Sequence, residues 1–163
     1  MARVKLSEQH EYEFHYTVMV RYRDINFGGH LGNDALIALL NDAGLHMFRA
    51  LGFLEGQLTE GKTYVAMADL TVNYRAEAFM FDELEIDTHV GEPEEKGFTV
   101  FHRVRKGTDI VALAEVGLVA FDYTRHEVVP VPEVFLRNLQ EYKRASVLHE
   151  GGQDETERHR YRR

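Results

Sequence analysis

The sequence contains no cysteine, no tryptophan and only three prolines in 163 residues. Without cysteine there is no disulfide, no thiolate nucleophile and no cysteine-held metal. Serine is almost as scarce. Ser7 and Ser146 are the only two, both near the ends and outside any nucleophile elbow, which argues against a Ser-His-Asp hydrolase. The nine histidines have no close metal-ligand spacing and the zinc-protease helix motif is missing, so no metal is expected. Gly28, Gly29 and Gly32 match neither a dinucleotide fingerprint nor a P-loop, and no cofactor is expected. Positive charge is in deficit, with 19 Lys and Arg against 27 Asp and Glu, a net charge of −8 that argues against nucleic-acid partners. There is no signal-peptide core at the start and no stretch that spans a bilayer, so a soluble, cytoplasmic protein without a membrane partner is expected.

What is present centres on Arg21–Leu51, RYRDINFGGHLGNDALIALLNDAGLHMFRAL. From Ala35 to Leu51 there is no proline, and Gly44 is the only interior glycine. Leu36, Leu40, Ala43, Met47 and Leu51 fall on one helical face, and Ile37, Leu39 and Phe48 widen it. A helix apolar nearly all round is a buried helix. Asn33 or Asp34 can cap its start, and Gly52 stands where a C-terminal glycine belongs.

Around this helix the sequence alternates with period two, the signature of strands. The first runs from Phe14 towards Asp24, followed by an Asn26–Gly29 turn. Later strands are read at Tyr64–Arg75, Leu84–Val90, Phe98–Val104 and Ile110–Phe121, the last apolar on both faces. Residues 1–11 are expected to fray. A short helix is expected at Glu133–Tyr142, and a polar, disordered tail over 146–163 beyond a single domain spanning 1–145. Strands joined by short turns, with one long helix, predict an α+β protein in which about five antiparallel strands wrap a central helix. The two-sided strand 110–121 fits a homo-oligomer.

An aspartate at a strand end, a Gly-His pair, an asparagine three residues beyond, and a buried helix are carried here by Tyr22, Asp24, Gly29, His30, Asn33 and Ala43. In these residues the chain resembles the hotdog-fold acyl-CoA thioesterases, most closely the 4-hydroxybenzoyl-CoA thioesterase-like branch, from about Phe14 to about Pro132. The resemblance implies an acyl-CoA substrate, no cofactor, and a site between subunits of a dimer, often within a tetramer. It implies Asp24 as nucleophile or general base, with His30 and Asn33 beside it. Backbone N–H groups around Leu31–Asn33 would polarise the thioester carbonyl, and Gly28, Gly29 and Gly32 would admit it to the main chain. Asn41, Asp42, Tyr74 and Arg75 complete the expected substrate-binding set, with Asp42 a rival carboxylate. Arg75, Lys96, Arg103, Arg105 and Lys106 are candidates for the phosphates of coenzyme A. The chain departs from the family pattern at Asn26, Gly32, Asn41 and Ala76-Glu77-Ala78. A hotdog enoyl-thioester hydratase or dehydratase, and a non-catalytic acyl-CoA-binding protein, therefore stay open as alternatives.

Overall fold

A computed structural model describes residues 3–54, 56–59 and 62–157. In chain order it contains β1 (Phe14–Met19), a 3-10 turn (Tyr22–Asp24), α1 (Asn33–Ala50), β2 (Thr63–Tyr74), β3 (Glu83–Val90), β4 (Gly97–Lys106), β5 (Asp109–Asp122), β6 (Glu127–Val128) and α2 (Glu133–Glu157). The strands form one antiparallel sheet in the order β1-β3-β4-β5-β2, with the two-residue β6 also on β5. This is the expected α+β arrangement with one strand more than expected. No helix among the described residues is long and apolar enough to cross a membrane.

The alternation in the strands decides which sheet face meets α1. Leu84, Ile86, Thr88 and Val90 of β3, and Phe98, Val100, His102 and Val104 of β4, are all buried. Their register pairs Ile86 with Val104, Thr88 with His102, and Val90 with Val100. Against them α1 buries Leu36, Leu39, Leu40, Ala43, Met47 and Phe48, the stripe read from the sequence. Its other face is open in the single chain: Ala38, Asn41, Asp42, Leu45, His46 and Arg49 are exposed. Burial all round is therefore not met by one chain. Polar residues interrupt the stripe on the far side, and the sheet covers only one side. The first turns of α2 close the remaining end of the core, where Phe135 stacks on Phe98 with centroids 4.6 Å apart.

Four expectations change. β1 stops at Met19, because Val20 pairs with the 81–82 segment and the Asp24 carboxylate then captures the Arg21 N–H, turning the chain out of the ladder. Residues 3–12 do not fray. Leu6 is buried, its N–H donates to Asn73 Oδ1 at 2.8 Å, and Arg75 donates to its carbonyl at 2.8 Å. Asn73 stands opposite Leu113, so this arm covers part of the outer face of β5 that was assigned to a partner. α1 begins on Gly32 with no side-chain cap, not on Asn33 or Asp34. Finally, α2 is longer than the expected Glu133–Tyr142 and runs to Glu157; residues 158–163 of the expected tail lie outside the described residues.

Two stability measurements test this core. Burial pushes His102 down from an ordinary 6.5 to about 4. Between those values the unfolded chain holds a proton that the folded chain refuses. Stability is then full above pH 6.5 and falls as pH drops towards 4, by on the order of 3 kcal/mol. Asp87 and Glu13, whose pKa values are lowered, add their loss only at lower pH. Urea midpoints should decline across pH 6.5 to 4 and flatten in His102→Leu; a flat wild-type profile contradicts a buried neutral ring. Gly44 sits inside α1, and a Cβ there meets nothing within 4 Å. Gly44→Ala should raise unfolding free energy by about 0.5–1 kcal/mol in the same assay.

Candidate active site

The bend from Arg21 to Asn33 is built by short-range hydrogen bonds that the sequence dictates. Asn26 caps its own turn: its Oδ1 accepts from Gly28 N–H at 2.9 Å and its carbonyl from Gly29 N–H at 3.0 Å. Gly29 takes φ +82°, a region that favours glycine. Asn26 N–H returns to the His30 carbonyl at 2.9 Å, and Ile25 bridges Leu31, so the bend is a miniature hairpin. Its two ends are tied to α1 by one bond, from Gly32 N–H to the Asp24 carbonyl at 2.8 Å.

Asp24 closes the 3-10 turn. Its Oδ2 accepts from Arg21 N–H at 2.8 Å, while Oδ1 has Arg23 Nε at 3.9 Å. His30 is half-buried, with Nδ1 at 3.2 Å from the Leu31 carbonyl and Nε2 at 3.8 Å from Glu77 Oε1. A cavity of about 230 Å³ opens beside it at the start of α1, bordered by His30, Leu31, Asn33, Tyr74, Arg75 and Glu77. Five residues singled out from the sequence thus meet around one space. Burial, and then the nearby charge of Asp34, push the Tyr74 phenol above its usual value, so it remains a hydroxyl donor at neutral pH.

Other expected members stand elsewhere. Asp24, Gly29, Gly32, Asn41 and Asp42 do not border this cavity. Asp42, the rival carboxylate, is exposed on α1, since it faces away from the sheet. Asn41 borders a second cavity of about 260 Å³ farther along α1. The backbone donors also shift. Leu31 N–H is taken by the Ala78 carbonyl and Gly32 N–H by Asp24, which leaves Asn33, Asp34 and Ala35 as the first-turn amides without a helical partner. The sequence reading missed Glu77 and Asp34 as neighbours of the site. Glu77 was visible only as part of the unusual Ala-Glu-Ala after β2.

The basic residues proposed for coenzyme A are mostly engaged. Asp87 is buried on the outer sheet face; burial alone would raise its pKa, but hydrogen bonds from Arg105, His15 and Arg103 outweigh this and hold it below the usual carboxylate range. Arg103 also pairs with Glu8 and Arg105 with Glu85. Lys106 pairs with Asp82, and Arg75 binds the N-terminal arm. The one triad with metal-ligand spacing among the described residues, Glu11, Glu13 and His89, is occupied by an ion pair: His89 Nδ1 lies 2.8 Å from Glu13 Oε1, with Lys143 at 3.7 Å.

Residues 20–139 match the thioesterase-like superfamily. No curated protein matches the chain by sequence. Among solved structures, the chain is similar to Slr0204, a 1,4-dihydroxy-2-naphthoyl-CoA thioesterase from Synechocystis, with TM-score 0.70 and 14% identity over 77% of this chain and 93% of that one. It is similar to BH1999, a gentisyl-coenzyme A thioesterase, with TM-score 0.69 and 21% identity over 76% and 98%. It is also similar to YbaW, a probable thioesterase from Escherichia coli, with TM-score 0.66 and 17% identity over 79% and 98%. At these identities the likenesses show the hotdog fold and no more.

The bend makes a sharp prediction. A Cβ on Gly29 would touch nothing within 4 Å, so the whole penalty of Gly29→Ala is its left-handed backbone. The variant should lose about 1–2 kcal/mol in urea unfolding; an unchanged midpoint would show that the bend is free to relax.

Proposed function

We propose, from the premise that the chain belongs to the thioesterase-like superfamily and is a thioester hydrolase, that it cleaves an acyl-CoA to the free acid and coenzyme A with Asp24 as the reacting carboxylate. The observation that carries this reading is the bond from Gly32 N–H to the Asp24 carbonyl, which holds the Asp24 bend against the first turn of α1. A helix start offers unpaired amides and the positive end of the dipole, the environment a developing oxyanion requires. Asn33, Asp34 and Ala35 supply those amides here. Oδ1 of Asp24 takes no hydrogen bond among the described residues and is the oxygen available for chemistry.

As a general base, Asp24 removes a proton from water while the water oxygen bonds to the thioester carbon. The tetrahedral intermediate then expels the thiolate, which leaves with that proton. As a nucleophile, Asp24 instead bonds to the thioester carbon and displaces the thiolate, giving an anhydride that water opens to the free acid and the Asp24 carboxylate, the proton released going to the thiolate. His30 and Asn33 border the cavity and orient the thioester, Leu31 lines it with them, Gly29 and Gly32 shape the bend that leads into it, and Tyr74 and Arg75 flank the leaving group. The reading includes a homodimer or a tetramer of such dimers, because Asp24 does not border the cavity of the single chain. The twelve-residue β2 is a sheet edge beside an exposed face of α1, and a second copy there would complete the enclosure.

The test is thiol release from a panel of acyl-CoAs. Asp24→Asn should lower kcat by about 10²–10⁴ with an unchanged melting temperature. Wild-type turnover in that variant removes Asp24 from the chemistry. Hydration of an enoyl-CoA without thiol release makes the protein a hydratase, and binding without either reaction makes it a carrier. A monomer in light scattering counts against the shared site.

A further inference from the structure

Gly44 opens a second space that the thioester chemistry does not use. Alanine would fit at that position, yet the helix carries no side chain there, and the gap continues into the cavity of about 260 Å³ that lies between α1 and β2. Its walls are apolar, including Leu45, Val65, Met67 and Val116. Asn41 at the exposed helix face and His102 from β4 are the polar side chains on it.

His102 is unusual company for such walls. It is 3% exposed, and Nδ1 lies 2.9 Å from Thr88 Oγ1, the residue opposite it in the sheet register. No other partner of the ring is found among the described residues. Among the described residues the one sealed side-chain atom without a partner is Glu13 Oε2, so His102 Nε2 is not sealed, and the cavity is the space the residue borders. Either tautomer is compatible with Thr88, whose hydroxyl both donates and accepts. Nε2 therefore acts as an acceptor in one tautomer and a donor in the other. A hydroxyl group satisfies both; a hydrocarbon satisfies neither and leaves the nitrogen dry and unpaired.

The two cavities lie along one helix. Leu36 borders the first and Gly44 the second, eight residues apart, which at 1.5 Å per residue is about 12 Å. An acyl group whose thioester rests at the start of α1 must span about that distance to put its far end in the second cavity.

We propose that the cavity opened at Gly44 receives the far end of the acyl group, and that His102 is a specificity-determining residue that hydrogen-bonds a hydroxyl carried there. The proposal rests on the thioesterase reading for the position of the thioester, and adds to it the class of acyl group selected: one with a hydroxyl remote from the thioester.

The experiment compares hexanoyl-, octanoyl- and decanoyl-CoA with their ω-hydroxy counterparts, as kcat/KM from thiol release. The wild type should favour the hydroxylated ester at least tenfold at one length, mainly through KM. His102→Leu should bring that ratio close to one. Gly44→Leu, which puts a side chain into the cavity from the helix and leaves His102 in the sequence, should lower kcat/KM for the reaching esters at least tenfold relative to acetyl-CoA. Equal rates for both members of every pair in the wild type, or a preference that survives His102→Leu, overturns the proposal. If no ester is hydrolysed, the thioesterase reading fails separately. Calorimetric binding of the corresponding free acids then decides: a preference for the ω-hydroxy acid that His102→Leu abolishes supports the cavity's role, and equal binding overturns it.

Discussion

The seating of α1 on the inner sheet face is the contact on which the rest depends. Leu36, Leu40, Ala43 and Met47 meet the even-numbered residues of β3 and β4 with almost no exposure. Truncating one such side chain costs about 2–5 kcal/mol, a large share of the roughly 5–15 kcal/mol that holds a domain together. That seating also fixes where the helix begins. Because α1 cannot slide or rotate, Gly32 stays at its start, the Asp24 carbonyl stays on Gly32 N–H, and the bend stays anchored. Packing in the core thus sets the position of a carboxylate that is itself outside the core.

Electrostatics on the opposite sheet face follow a different logic. Asp87 is taken out of water and surrounded by Arg103, Arg105 and His15, while the N-terminal arm adds Glu8 and the ring of Tyr12 over Arg103. A buried carboxylate survives ionised only with such partners. In a chain with net charge −8, this network draws two arginines away from any phosphate ligand. The proposed coenzyme A substrate must find its counter-charge elsewhere, among exposed cations such as Arg23 and Lys96 or on a second copy.

The features legible in the sequence were those written in local periodicity. The α1 stripe, the alternating strands after it, Gly52 past the helix end and the glycine bend at Asn26–Gly29 each declare themselves within about twenty residues. What was illegible depends on partners far away in the chain. The arm around Leu6 is fixed by Asn73 and Arg75, sixty-seven and sixty-nine residues on. Its composition reads as a frayed end because the apolar contact comes from a single leucine. The arginines were read as free because Asp87, on the same strand parity as solvated acids, gives no sign that it is buried. The candidate cavity falls between these cases: His30 and Asn33 come from the bend and Tyr74 and Arg75 from the end of β2, so the motif supplied the names, but only the register of β2 on β5 brings them together.

One consequence joins the two cavities to the open side of the molecule. Leu45 and Met67 are large, apolar and exposed, and both border the second cavity. They lie on the outward face of α1 and on the free edge strand β2, the two surfaces that a single chain leaves uncovered. Among the described residues the 56–59 segment bonds to the Thr63–Val65 end of β2, and the remainder of that edge, with apolar side chains beside it, is the kind of surface a partner strand covers. A second copy seated along β2 would therefore pair the edge, cover Leu45 and wall the space that His102 borders. In that arrangement assembly and the proposed acyl selection would draw on the same residues, so a variant that weakens pairing at β2 would change the shape of the second cavity even where no atom of Asp24, His30 or Asn33 moves.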